Sequence, residues 1–334
     1  MYQNRVELYT EIEKHRDSKL LVYVTGDRTG LETKIHSEVL DFFVAHLDVI
    51  GNVPKISLYL YTRGGDTLAA WSIANLVRQY CKEFEVLIPS KAHSGGTLIS
   101  LGANSIIMTK QATLGPIDPS INTPINPPVP GAPPNIRYPV SVEAINGFIE
   151  LAREIGGKAG ADPSKILEIL ASHVEPLVLG QVYRTRTQIK MLGERLLSLH
   201  MEEDGKIEKI LAFLCSESGS HDYTIYHREA RKVLGLNVML PDDDLYTVIK
   251  KVYDDIADEL ELTSPYKPDI FVGEQDKAQY KFSRALIESV NGGSHKFISQ
   301  GQLIKQQITD QNIGSVQEIV RDSRTFEGWR YEQL

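Results

Sequence analysis

Short apolar runs alternate with longer amphipathic runs along the first hundred or so residues. The short runs are rich in β-branched residues and end in turn residues, which is typical of buried strands. The longer runs carry apolar residues at three- and four-residue spacing, which predicts helices. One of these helices follows Asp66, a residue type that caps helix starts. The predicted strands are Lys19–Asp27, Lys55–Thr62, Phe84–Ser90 and Ser105–Thr109.

The pattern changes at Thr123–Pro139, which holds seven prolines. A segment so rich in proline fits neither a helix interior nor a central strand, so we expect an exposed, partly extended loop. Helical spacing resumes after it and includes one long helix over Pro176–Met201 with a single apolar seam. Near the C-terminus, the sequence Asn-Gly-Gly at 291–293 lies between two apolar runs and predicts a hairpin.

Strands separated by crossover helices favour a mostly parallel sheet with both faces covered, which places the chain in the α/β class. We expect a core over residues 1–240, with the proline-rich loop 123–139 as part of it. Residues 241–334 are predicted to add a C-terminal helix and a small α/β or hairpin extension.

The composition of the chain argues against some classes of function and location. The formal net charge of −8 gives no electrostatic support for nucleic-acid binding. Only two cysteines occur, which fits a reducing compartment. No apolar run reaches the roughly 18 residues of a membrane span, and the N-terminus has no signal-peptide core. We therefore expect a cytoplasmic protein that spans no membrane, and no metal spacing or other motif requires a cofactor.

Two glycine pairs occupy equivalent positions, each between the end of a predicted strand and the next helix. Gly64 and Gly65 follow the second strand, whereas Ser94, Gly95 and Gly96 follow the third. Ligands collect at the carboxyl ends of parallel strands, so both corners are expected to face one crevice. Amides at a helix start are unpaired, and glycine lets them approach a substrate closely. The amides of Gly64, Gly65 and Gly95 are therefore a candidate oxyanion hole around Ser94 Oγ.

The order strand, Gly-Gly, helix, strand, Ser-Gly, helix resembles the Clp/crotonase superfamily. "TRGGDTLAA" is similar to the glycine corner of Clp protease, and "AHSGGTLISLGA" to the segment with its nucleophilic serine. "TLGPIDPS", "HVEPLVLG" and "HDYTIYHREARKVLGL" resemble the Clp-class family of serine dehydrogenase proteinases, and the closing "GWR" is similar too. The resemblance covers about Lys19–Val238. It implies a spiral of βαβ units, a ring-like homo-oligomer, a peptide or protein substrate and Ser94 as the nucleophile.

The general base departs from the family pattern. Clp protease carries a histidine soon after its serine, where this chain has "LGPIDPS" with Asp118, and the lysine of related signal peptide peptidases has no counterpart. Aligning "EA" of "REARKVLGL" with the same letters of Clp protease places Asp222 on the triad aspartate, with His221 beside it as the candidate base. The alternatives stay open: Asp118 fits either a pocket residue or a turn before proline, and His221 and Asp222 fit local capping roles.

Other polar residues near these motifs have structural explanations. Arg63, beside the glycine pair, could bind a substrate carboxylate or pair with Asp66. His46 lies on an apolar helix face, which favours a core or interface histidine. His93 precedes Ser94, but adjacent side chains of an extended segment point in opposite directions.

These observations predict a Clp-fold serine endopeptidase that uses Ser94 and a backbone oxyanion hole. Two alternatives remain: a crotonase-like acyl-CoA enzyme, in which the same amides would stabilise an enolate, and a non-catalytic Clp-fold scaffold. A glutamate at the catalytic corner would favour the first, and this chain has Ser94 there. The sequence identifies no substrate and no partner protein or ATPase.

Overall fold

The computed structural model of the chain describes residues 1–118, 120–133, 135–156, 162–217, 220, 222–309 and 316–332. The described residues form strands joined mostly by helices or turns. The strands are β1 (Lys19–Thr25), β2 (Val53–Tyr61), β3 (Cys81–Ile88), β4 (Lys91–Ala92), β5 (Ser105–Met108), β6 (Thr113–Leu114), β7 (Ser120–Ile121), β8 (Val140–Ser141), β9 (Ile225–Tyr226), β10 (Val238–Met239), β11 (Lys277–Ser289), β12 (Gly293–Thr309) and β13 (Val316–Glu332).

An eight-stranded sheet forms the centre of the fold, in the order β10-β5-β3-β2-β1-β11-β12-β13. Its first five strands are parallel, whereas β11 pairs antiparallel with β1 and continues into an antiparallel meander. The predicted α/β class is confirmed, as is the hairpin at residues 291–293, which joins β11 to β12. The meander belongs to the predicted extension 241–334, and it continues the sheet of residues 1–240.

A second, smaller ladder lies beyond the ends of β1, β2 and β3. Strands β4, β6 and β9 pair in it, and single bridges join Ile35 to Gly65 and Thr62 to Ala92. Each of β1, β2 and β3 is therefore followed by a short stretch of this ladder and then by a helix. This repeated unit is the spiral that the family resemblance implies, and it brings the ends of successive units together.

The helices begin and end largely where the sequence predicts. Asp66, for example, accepts a hydrogen bond from Ala69 N and caps the helix that follows it. One prediction is wrong at its end: the long helix stops at Leu197, and Leu199 lies exposed beyond it. The helices are α1 (Tyr2–Arg16), α2 (Leu40–Ile50), α3 (Thr67–Gln79), α4 (Gly95–Leu101), α5 (Val142–Gly156), α6 (Pro163–His173), α7 (Pro176–Leu197), α8 (Asp204–Ala212), α9 (His227–Lys232), α10 (Asp243–Glu259) and α11 (Pro268–Val272).

Both faces of the parallel strands are packed, which explains why most of their residues are apolar. On β1, Leu21 and Tyr23 contribute to a core with residues of α2 and α3. Leu20, Val22 and Val24 contribute to a second core with residues of α1 and α10. Successive residues of β1 enter the two cores in turn, because side chains along a strand point alternately to its two faces.

A buried charge cluster ties α1 to the meander. Arg5 and Glu288 are both fully buried, and Arg5 Nη2 lies 2.7 Å from Glu288 Oε1. Tyr9 and Ser294 donate hydrogen bonds to the same carboxylate. Displacing β11 would separate these charges in a medium of low dielectric constant, so the cluster fixes β11 against the core.

Two histidines tie the meander to α2. His46 Nδ1 lies 2.8 Å from Ser289 Oγ, and His46 Nε2 lies 3.0 Å from His295 Nδ1. Burial lowers the pKa of His46 to about 4, with the charge of His295 as a second cause. His46 is therefore a core histidine that stays neutral in the folded protein near pH 7.

This pair predicts a specific loss of stability in acid. The pKa of His46 is lower in the folded than in the unfolded chain, so its contribution is complete above about pH 6.5 and is lost as the pH falls towards 4. The shift corresponds to about 3 kcal/mol between pH 7 and pH 4. Urea unfolding across this range should show the free-energy difference between the wild type and His46→Asn changing by about that amount.

The control is His15→Asn, because His15 is exposed on α1. Its difference from the wild type should stay constant over the same range. If the free-energy difference between the wild type and His46→Asn were also constant, the lowered pKa of His46 would be contradicted.

Candidate active site

Ser94 occupies a strained corner between β4 and α4. Its backbone has φ +52° and ψ −110°, a conformation that non-glycine residues rarely adopt. The helix starts at once, since Gly96 N donates to His93 O at 2.8 Å and Leu98 N donates to Ser94 O at 3.0 Å. Such strain persists only where the surroundings enforce it, and it is frequent at active sites.

The glycines after Ser94 let α4 start against the end of β2. A Cβ on Gly96 would lie 2.5 Å from the methyl group of Thr62 and 3.2 Å from Ala92 Cβ. A Cβ on Gly95 would lie 3.2 Å from Ile35 Cδ1. A side chain at residue 96 would therefore overlap Thr62, whereas one at residue 95 would require Ile35 to shift by a few tenths of an ångström.

The Gly64–Gly65 corner lies directly against Ser94. A Cβ on Gly64 would lie 2.7 Å from Ser94 Cβ, and one on Gly65 would lie 2.5 Å from Ile35 N and closer still to Ile35 O. Ile35 holds this corner from the other side: its N–H donates to Gly64 O, and Asp66 N donates to Ile35 O, both at 2.9 Å. The structure thus brings both predicted corners together.

The amides of the two corners differ in their partners. Gly64 N donates to Thr62 Oγ1 at 2.9 Å, and Thr62 Oγ1 in turn accepts from Thr25 Oγ1. Among the hydrogen bonds of the described residues, none has Gly65 N or Gly95 N as its donor. These two amides lie close together, since Gly65 N is 3.4 Å from the position of a Cβ on Gly95. They match the two amides that the sequence predicts as donors beside Ser94, together with Gly64.

Ser94 faces an open cavity of about 620 Å³. Its lining includes four of the predicted site residues and Arg63, together with side chains from the segment before α2 and from the meander. The lining residues are Glu32, Thr33, Lys34, Ile35, His36, Glu38, Arg63, Gly64, Gly65, Asp66, Ser94, Asp118, Asn122, Arg284, Ala285, Phe297, Glu327 and Trp329.

Asp118 lies buried in the cavity wall. Its loop is fixed on the α4 side, where Thr97 Oγ1 donates to Gly115 O at 2.7 Å, and Ser141 Oγ lies 3.3 Å from Asp118 Oδ2. Burial, followed by the charge of Asp118, raises the pKa of Glu143 on α5. The Asp118 carboxylate therefore acts electrostatically on its neighbours.

The other predicted residues are less close to Ser94. His221 lies outside the described residues. Asp222 is exposed, its N–H donates to Ser220 Oγ, and it is not part of the cavity lining. His93 Nε2 contacts Thr113 Oγ1 at 2.8 Å. Arg63 lines the cavity, and the described residues contain no ion pair between Arg63 and Asp66.

The sequence does not predict the part of the cavity wall that the meander contributes. Arg284, Phe297, Glu327 and Trp329 of the meander form it, and Trp329 Nε1 lies 3.3 Å from Glu38 Oε1. The closing "GWR", which contains Trp329, was the one sequence feature pointing to this region.

Two further features of the described residues concern metal binding and membrane spans. No group of three or more His, Cys, Asp and Glu side chains there is arranged to hold a metal ion. None of the helices in this part of the chain has the length and apolar character needed to cross a membrane.

Comparison with known proteins gives one family match and two relatives. Residues 45–130 match the family described as ClpP-like SDH-type serine proteinase. An uncharacterized protein of Methanocaldococcus jannaschii is 46% identical over 244 residues, which are 70% of this chain and 71% of that protein. Another uncharacterized protein of the same organism is 30% identical over 209 residues, and the match spans 61% of this chain and 62% of that relative, less than two thirds of its length.

Two solved structures of mutants of the membrane-bound stomatin-specific protease 1510-N are also similar. The first has 18% identity and a TM-score of 0.38, and its match covers 68% of this chain and 82% of the solved chain. The second, in complex with a substrate peptide, has 18% identity and a TM-score of 0.36. Its match covers 67% of this chain and 77% of the solved chain.

The close packing at Gly65 predicts that Gly65→Ala is costly. Its Cβ would overlap the Ile35 backbone, which has no flexible side chain to move aside, so we expect a loss of about 2–3 kcal/mol in the free energy of unfolding. Denaturant unfolding measures this loss.

Gly51→Ala is the matched control. Gly51 also has a positive φ, 73°, but a Cβ there would meet no atom within 4 Å. Its φ of 73° and ψ of −175° lie in a region essentially confined to glycine, so Gly51→Ala should cost the backbone strain alone, about 1 to 2 kcal/mol, and less than Gly65→Ala. Equal losses for the two variants would show that Ile35 does not confine Gly65.

Proposed function

The chain belongs to the ClpP-like SDH-type serine proteinase family, and from this premise we propose that it is a serine endopeptidase with Ser94 as its nucleophile. The observation that carries the proposal is the corner itself. Ser94 has φ +52°, faces a cavity, and lies beside two backbone N–H groups, of Gly65 and Gly95, that donate to no described acceptor. The comparisons support neither an acyl-CoA enzyme nor a non-catalytic scaffold.

The proposed reaction is acyl transfer. Ser94 Oγ attacks the carbonyl carbon of a peptide bond while a base takes its proton, and the carbonyl oxygen becomes negatively charged. The amides of Gly65 and Gly95 donate to this oxygen, while Gly64 fixes the corner through Thr62. The amine leaves with the proton, and water then hydrolyses the acyl-enzyme by the same steps.

We propose His221 as the base, with Asp118 as the acidic residue on the cavity side and Asp222 as the alternative. Support comes from strand β9, which follows His221 in the chain, and from strand β6, which precedes Asp118. Ile225 of β9 pairs with Leu114 of β6, which brings the chain just after His221 beside the strand that leads to Asp118. Of the two carboxylates, Asp118 is the one that lines the cavity.

The substrate class follows from the cavity. It is open and lined by both charged and aromatic side chains, so we propose a peptide or protein segment in extended conformation. Asn122, just before the proline-rich loop, also lines the cavity. The loop is closed on itself, since Asn126 Nδ2 donates to both Ile121 O and Tyr138 O, and we infer that it borders the substrate.

We also propose that the chain forms a homo-oligomer, because helices α5 to α7 expose large apolar side chains. Leu151, Ile155, Leu167, Leu177 and Tyr183 are all more than half exposed. Patches of this kind mark association surfaces. Sedimentation velocity at micromolar concentration should show an oligomer for the wild type and a smaller species for Ile155→Glu. A monomeric wild type would contradict the proposal.

A cytoplasmic location is a further part of the proposal. Cys81 and Cys215 are both free thiols, which fits a reducing compartment. Recovery of the protein in a secreted fraction of its own cells would contradict this location.

The nucleophile is tested by Ser94→Ala. The variant should lose at least about a thousandfold in kcat for peptide hydrolysis, because it lacks the oxygen that forms the acyl-enzyme. It should also lose labelling by a fluorophosphonate probe. Fluorogenic peptide assays and mass spectrometry of the labelled protein measure the two effects.

Ser72→Ala, on α3 and outside the cavity lining, is the control and should retain both activities. His221→Gln should reduce both kcat and the labelling rate while Ser94 remains the labelled residue. Full activity and labelling in Ser94→Ala would end the proposal.

A further inference from the structure

Arg284 occupies an irregular position in the meander. The register between β11 and β12 shifts there: Ser283 pairs with Ile298 and Ala285 with Phe297, so Arg284 is the extra residue of a β-bulge. Bulges re-aim a side chain and are frequent next to active sites. Here the bulge directs Arg284 to the segment 26–35, which connects β1 to the glycine corner.

Every nitrogen of the guanidinium group is engaged. Arg284 Nε donates to Leu31 O at 2.8 Å, and Nη2 donates to Glu32 O at 2.6 Å. Nη1 donates to Ser299 Oγ at 3.0 Å and forms an ion pair with Glu327 of β13. Because all three nitrogens already have protein partners, Arg284 is poorly suited to bind a substrate carboxylate even though it lines the cavity.

The backbone of Arg284 holds the same segment. Gly26 N donates to Arg284 O at 2.8 Å, and Thr33 Oγ1 donates to the same oxygen at 3.0 Å. A Cβ on Gly26 would lie 2.5 Å from Arg284 O, so this approach tolerates no side chain. Arg284 thus holds the segment at its first residue, Gly26, and at residues 31–33.

The segment ends at Ile35, which determines where Gly65 N points. Ile35 accepts from Asp66 N and donates to Gly64 O, so its backbone fixes the peptide units on both sides of Gly65. A displacement of Ile35 would therefore rotate the Gly65 amide relative to Ser94. Misplacing a catalytic group by about 1 Å can cost on the order of a hundredfold in rate.

We propose that Arg284 is a positioning residue for the oxyanion hole: through the carbonyls of Leu31 and Glu32 it holds Ile35, and through Ile35 it orients Gly65 N. The proposal rests on the endopeptidase function proposed above. It makes the C-terminal meander part of the catalytic apparatus. The role belongs to the transition state, so its loss affects kcat more than KM.

The test is Arg284→Ala in the full chain, assayed for peptide hydrolysis and for amide exchange. We expect kcat to fall by about 10- to 100-fold with KM changed by less than about threefold. Guanidinium chloride at low millimolar concentration should restore part of kcat. Hydrogen exchange at Asp66 N, which is bonded to Ile35 O, should become at least about tenfold faster.

Arg321→Ala is the matched control, because Arg321 is an exposed arginine of β13 that does not line the cavity. It should leave kcat and Asp66 exchange unchanged. Arg284→Lys is the second variant, in case Arg284→Ala does not fold. A single ammonium group cannot reproduce the fork that reaches both carbonyls, so kcat should still fall.

The outcomes separate this inference from the proposed function. If the wild type neither hydrolyses peptides nor reacts with the probe, the endopeptidase function fails, and exchange at Asp66 still decides whether Arg284 holds the corner. If the wild type is active and both Arg284 variants keep kcat within about twofold, the inference is overturned. It is equally overturned by unchanged exchange at Asp66, or by a lower melting temperature with kcat unchanged.

Discussion

The site depends on the close approach of three backbone segments: Ile35, the Gly64–Gly65 corner and the turn at Ser94. A Cβ at residue 64 would lie 2.7 Å from Ser94 Cβ, and one at residue 65 would lie 2.5 Å from Ile35 N. Only glycine fits between the segments, and only this spacing leaves the amides of Gly65 and Gly95 beside the serine. The strain at Ser94, with φ +52°, is maintained by the packing on either side of it.

The corner in turn depends on the C-terminal meander. Arg284 connects the meander to the segment that carries Ile35, while Glu288 and His295 connect it to α1 and α2. The buried charges of Arg5 and Glu288 make sliding of β11 costly, because either group alone would be left uncompensated. The N-terminal helix, the meander and the catalytic corner are therefore mechanically linked, although they are far apart in sequence.

Much of the core and the first half of the site can be predicted from sequence, because the information is local. Periodicity marks the strands and helices, and glycines next to Ser94 mark a backbone approach that excludes side chains. The wall formed by Phe297, Glu327 and Trp329 could not be predicted in this way. Its place depends on β11 pairing beside β1, and no local pattern encodes which strand a distant segment joins. Edge strand β13 also carries mostly exposed polar residues, which weakens its periodicity.

The bulge at Arg284 and the general base also lack a local pattern in the sequence. Arg284 reads as an ordinary strand residue, since a bulge arises from the register of two strands and leaves no mark in either alone. His221 follows only from a family resemblance, whereas Asp118 precedes a proline in the sequence and lies in the cavity wall.

A crystal structure of the protein with a phosphonate bound covalently to Ser94 tests the central claim most directly. The account predicts the phosphoryl oxygen within about 2.7–3.1 Å of both Gly65 N and Gly95 N, with Gly64 N still bonded to Thr62 Oγ1. A phosphoryl oxygen directed away from these amides, towards Arg63 or bulk solvent, would contradict it.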